Sequence, residues 1–68
     1  MNELTMQELE IVRAQMDLEE TLVNKCRQYA DMVGDPQLKI KCQQVAAQHA
    51  NHYDTLKEHL PQEEQNGK

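Results

Sequence analysis

The tripeptide Gly34-Asp35-Pro36 breaks this chain into two halves, and each half carries its own helical stripe. Gly34 is placed to be the C′ residue that ends one helix, while Asp35 and Pro36 supply the N-cap and first position of the next. Upstream, Leu9, Val12, Met16, Glu19, Val23, Cys26, Ala30 and Val33 recur at alternating steps of three and four, the period of a single helix face. Downstream, Leu38, Cys42, Val45, His49, His52, Leu56 and His59 do the same. Two long helices joined by so short a turn lie antiparallel, so the chain is expected to be an all-α helical hairpin. The expected bounds are a helix over 6–33, a turn at 34–35 and a helix over 36–60, with 61–68 as a disordered polar tail.

In an antiparallel pair, residues at one height have numbers that add to a constant, which is near 68 for a turn centred on Gly34. The two stripes then match position for position. Ala30 faces Leu38, Cys26 faces Cys42, Val23 faces Val45, Glu19 faces His49, Met16 faces His52 and Val12 faces Leu56. The first helix also has a well-specified start. Thr5 and Glu8 have the spacing of a capping box, and Leu4 and Leu9 that of a hydrophobic staple.

A second row on the first helix, Leu4, Ile11, Leu18, Leu22 and Tyr29, widens its apolar face beyond what one partner helix covers. At 68 residues, with no Trp or Phe, the chain is also too small to build a sizeable core alone. Both features point to self-association, with a homodimeric four-helix bundle as the expected assembly.

A net charge of -5 speaks against nucleic acid and anionic membranes as partners, because phosphate binding requires clustered cations. No stretch approaches the ~20 apolar residues of a membrane span, and no basic segment followed by an apolar run opens the chain. The expectation is a soluble protein, cytoplasmic on synthesis. No nucleophile-plus-base constellation or glycine-rich phosphate loop is present, so no catalytic residue is assigned and the chain is read as a non-enzyme.

One cluster has possible chemistry. Glu19 is the only carboxylate in its stripe and is costly to bury unless paired or bound to metal. His49 and His52, three residues apart on the facing helix, can aim ring nitrogens at one point. One carboxylate and two neutral imidazoles form a chemically sensible shell for Zn, Fe, Mn or Cu. The alternative is a Glu19–His49 hydrogen bond inside the bundle with His52 near the surface. His59 reads as a solvated residue near the helix end. Cys26 and Cys42, at one height, are either core thiols or a disulfide pair. Met6, Met16 and Met32 read as core or near-core, and Tyr29 and Tyr53 as packing residues flanking the seam.

The run Tyr29-Ala30, Asp35-Pro36-Gln37-Leu38-Lys39, Gln44-Val45-Ala46 and His49-Ala50-Asn51-His52 resembles the small ferritin-like hairpins known as spore coat proteins of the coat F type. The likeness covers about 5–60. More distantly, the chain is similar to one half of rubrerythrin or ferritin, where a Glu on one helix and a Glu-x-x-His on the next bind a di-iron centre. By position Glu19 matches the first-helix glutamate and His52 the histidine, while His49 stands where that motif has Glu. The resemblance implies a sporulation protein of the spore coat that acts by assembly with itself and other coat proteins. In an oxidising coat, Cys26 and Cys42 become candidates for cross-linking. A small non-haem metal protein with a storage or redox role through Glu19, His49 and His52 is the alternative. A third reading is an adaptor that takes a partner helix in an open groove.

Overall fold

The structure is a computed structural model that describes residues 4–66. Those residues form three helices and no strand: α1 over Met6–Met32, α2 over Pro36–Lys57 and α3 over Gln62–Asn66. The first two pack against each other as a hairpin, in a molecule with overall extents of 46 × 19 × 17 Å.

α1 starts where the capping box places it. The Glu8 amide donates to Thr5 Oγ1 at 3.0 Å, and the Thr5 amide donates to Glu8 Oε1 at 2.9 Å. This reciprocal pair satisfies amides that have no partner within the helix. α2 is started by Asp35, whose carboxylate accepts from the Gln37 amide at 2.8 Å and the Leu38 amide at 3.1 Å.

The turn differs from expectation in its mechanism. Val33, the C-cap, is extended at φ -81° and ψ 143°, and Gly34 does not take a positive φ. α1 therefore ends by straightening at Val33 rather than through a left-handed glycine. Its last turn has no basic residue of its own, and Lys39 of α2 reaches back to donate its ammonium to the Ala30 carbonyl. The cation at this helix end opposes the negative end of the α1 dipole.

α2 ends at Lys57, three residues before the expected stop at Leu60. The His59 and Leu60 amides bond to the Leu56 and Lys57 carbonyls, each three residues back, so the chain tightens ahead of Pro61. Pro61 has no N–H to offer the Lys57 carbonyl four residues back, and in a continued helix its ring would clash with that carbonyl, a conflict the exit at Lys57 avoids.

The tail expectation is corrected. Gln62–Asn66 is helical, with Pro61 accepting from the Glu64 and Gln65 amides. Its polar residues find partners in the hairpin: Glu64 pairs with Arg13, and the Gln65 side-chain Nε2 donates to the Leu60 carbonyl at 2.8 Å and to the Glu58 carbonyl at 3.1 Å. Carbonyls left over at the end of α2 are thereby satisfied. Gly67 and Lys68 lie outside the described residues.

The core is thin. Its buried apolar residues are Met16, Val23, Ala30, Ala46 and Leu60, and no large side chain among the described residues is fully enclosed. The α1 stripe is buried or half-buried throughout. On α2 the expected stripe drifts, because Leu38 and His59 are exposed while Ala46, off the stripe, is buried. The second α1 row stays open: Ile11, Leu18, Leu22 and Tyr29 are all exposed, Leu18 to 57%. No helix among the described residues is long and apolar enough to cross a membrane.

Candidate metal centre

Glu19 lies at the middle of α1 and is 8% exposed, the only buried charged residue among those described. Its environment is Met16 and Val23, one turn away on either side, so its carboxylate needs partners from α2. His49 Nδ1 approaches Glu19 Oε1 to 2.6 Å, a short charge-assisted contact. His52 Nδ1 lies 3.5 Å from Glu19 Oε2, beyond a good hydrogen bond but within ion-pair range. The two imidazoles meet edge to face, with ring centroids 5.6 Å apart and planes at 84°.

The three residues thus offer one ligand atom each within 4.8 Å of one another. The helix period explains the convergence. His49 and His52 are one turn apart on the same face of α2, and the hairpin register sets that face against the centre of α1. A tetrahedral cation held at about 2.0–2.1 Å by O and N ligands separates those ligands by roughly 3.3 Å. The present contacts run to different oxygens, His49 to Oε1 and His52 to Oε2, so a shared cation would require the Glu19 carboxylate and the rings to readjust around one point. The donor set of one carboxylate and two imidazoles suits Zn, Fe or Mn. A second arrangement leaves the Glu19–His49 bond intact. A carboxylate oxygen accepts, so His49 Nδ1–H donates and Nε2 keeps its lone pair, with Glu19 orienting the ring from behind.

Burial is graded across the cluster. The Glu19 side chain is 11% exposed, that of His49 23% and that of His52 59%. Any bound ion would therefore be held from inside the hairpin and reached from the His52 side.

The other singled-out residues fall elsewhere. His59 is exposed and donates from Nδ1 to the Thr55 carbonyl at 3.0 Å, apart from the cluster. Cys26 and Cys42 are free thiols, each half-buried, on the two packed helices. Met16 is core, but Met6 and Met32 are strongly exposed, which corrects their reading as core residues. Tyr53 is half-buried and lines a shallow cleft with Glu20, Arg27 and Asp54. The residues not anticipated are Ala46 and the tail anchors Arg13, Glu64 and Gln65. No sequence signal marked the latter, because Asp17, four positions after Arg13, offers that arginine a partner on its own helix.

Comparison with protein-family models, with curated proteins and with solved structures finds no match to this chain.

Proposed function

We propose that this chain is a non-enzymatic structural protein that works by self-association of the hairpin, as the resemblance to coat F-type spore coat proteins implies. The observation that carries the reading is the exposed apolar row of α1. Ile11, Leu18, Leu22 and Tyr29 lie along one side of a helix whose other apolar face is already used against α2. Two helices bury too little apolar surface to offset the entropy of ordering a chain of this size. Covering the row with a second copy removes these side chains from water, at about 25 cal/mol for each Å² of apolar surface. The product is a homodimeric four-helix bundle, with other coat proteins as further partners.

Sedimentation of the chain at micromolar concentration tests this. A stable dimer is expected, and a monomer would overturn the reading in favour of an adaptor that takes a foreign helix on the same row.

A second reading, a small metal-binding protein, is favoured by one specific observation: the convergence of Glu19, His49 and His52. It is compatible with assembly, since the cluster uses the inner face of α1 and the apolar row uses another. Metal analysis of protein purified without an affinity tag tests it. Stoichiometric Fe, Mn or Zn, lost in His49→Ala, supports the metal reading. No bound metal after anaerobic Fe(II) addition defeats it.

A further inference from the structure

The spacing and the apolar/polar pattern along the exposed side of α1 are the same read in either direction. From Ile11 to Tyr29 the side runs Ile11, Gln15, Leu18, Leu22, Lys25, Tyr29, all of them exposed. The steps are four, three, four, three and four, and the pattern is apolar, polar, apolar, apolar, polar, apolar. Its midpoint is the height of Glu20. Such a series is self-complementary when two copies of one helix run antiparallel, because a two-fold axis through the midpoint exchanges its ends.

We propose that the second copy docks α1 against α1 in the antiparallel sense, with the two-fold axis crossing at the height of Glu20. This rests on the self-association proposed above and adds its orientation and register. Ile11 then faces the partner's Tyr29 and Leu18 faces the partner's Leu22. Gln15 faces the partner's Lys25, so each polar residue in the series meets a polar one.

Charge favours the same face. Each copy carries a net charge of -5, so association requires a contact from which acids are excluded. Within the series there are none. At 3.6 residues per turn, Glu10, Asp17, Glu20 and Asp31 are rotated about 100° or more away from it. Glu8, at its edge, has its carboxylate committed to the Thr5 amide. The register has a consequence for the cluster. Glu19 lies one residue from the axis, so the two Glu19–His49–His52 groups come within about 3 Å of the same height along the bundle.

Site-directed cross-linking tests the register. In a background of Cys26→Ser and Cys42→Ser, single variants Ile11→Cys and Tyr29→Cys are treated with a short bis-maleimide, separately and as an equilibrated mixture. In the proposed register Ile11 is level with the partner's Tyr29 but about 27 Å along the axis from the partner's Ile11. The mixture is expected to yield linked dimers several-fold above either variant alone. Gln15→Cys with Lys25→Cys, two positions outside the hairpin core, is expected to behave the same way. Linking of Ile11→Cys to itself would overturn the antiparallel sense. Absence of mixed links for both pairs, in protein that sediments as a dimer, would overturn the register while leaving self-association intact. A monomer would overturn both.

Discussion

Glu19 and His49, thirty residues apart in the chain, meet at 2.6 Å across the hairpin. Their contact is the polar centre of an otherwise apolar seam, and it makes the two partners unequal. Glu19 is the more deeply buried, so it depends on His49 more than His49 depends on it. Removing one member of a buried pair leaves the other with its full desolvation cost, whereas replacing both by apolar groups removes the cost altogether.

Accordingly, His49→Ala is expected to destabilise the fold by about 1–3 kcal/mol. The double variant Glu19→Leu/His49→Leu is expected to recover most of that loss and to equal or exceed the parent. Urea unfolding followed by circular dichroism, at one fixed protein concentration, measures both. A double variant less stable than His49→Ala would contradict this account of the pair.

His52 separates the structural role of the cluster from a metal role. Its side chain is 59% exposed and its nearest contact to Glu19 is 3.5 Å, so His52→Ala is expected to change stability by no more than about 0.5 kcal/mol. The same substitution removes one of three ligands. Zn or Mn binding followed by calorimetry, with the unsubstituted chain alongside, should show affinity falling at least about ten-fold. Unchanged affinity would exclude His52 from the site.

Leu18, near the centre of the exposed α1 row, decides whether the row is an interface. Leu18→Glu places a charge where the partner's apolar residues would lie and alters nothing in the hairpin core, because Leu18 is 57% exposed. Sedimentation is expected to shift from dimer to monomer. The loss of partner stabilisation lowers the melting temperature and removes its dependence on protein concentration. A variant that still dimerises as the parent does would place the interface elsewhere.

Two neighbours in the turn are expected to respond in opposite directions. Asp35→Ala removes the cap of α2 and should cost about 0.5–2 kcal/mol. Gly34 has no positive φ, and a Cβ there would meet nothing within 4 Å. Gly34→Ala should therefore stabilise by about 0.4–1 kcal/mol through the unfolded chain alone. Thermal melts of the two variants check the contrast, and a destabilising Gly34→Ala would mean that the turn uses a conformation only glycine allows.

Much of this architecture was legible in the residues. The helix period, the capping box at Thr5, the Asp35-Pro36 start and the shared stripe geometry define the hairpin and its register. The Glu19–His49 bond and the Lys39–Ala30 bond, with residue numbers adding to 68 and 69, agree with the expected constant to within one residue. These features are legible because they arise from backbone geometry and local hydrogen bonds, which follow directly from residue type and spacing.

Other features required the packed helices. The stripe on α2 treats all apolar positions alike, but the observed crossing buries Ala46 and leaves Leu38 in solvent. The helical tail over Gln62–Asn66 depends on Arg13, 51 positions away from its partner Glu64, and on carbonyls exposed by the early end of α2. Gly34, which by residue type suits a left-handed cap, was not used that way because Val33 straightens first. The sequence by itself determined two amphipathic helices, their antiparallel order and which carboxylate would face which imidazole. The tertiary structure decided how closely the ligand atoms converge, that Ala46 and not Leu38 enters the core and that the tail folds as a helix against Arg13. Those outcomes depend on how two helix surfaces rotate against each other, and periodicity constrains that rotation only to within a residue or two.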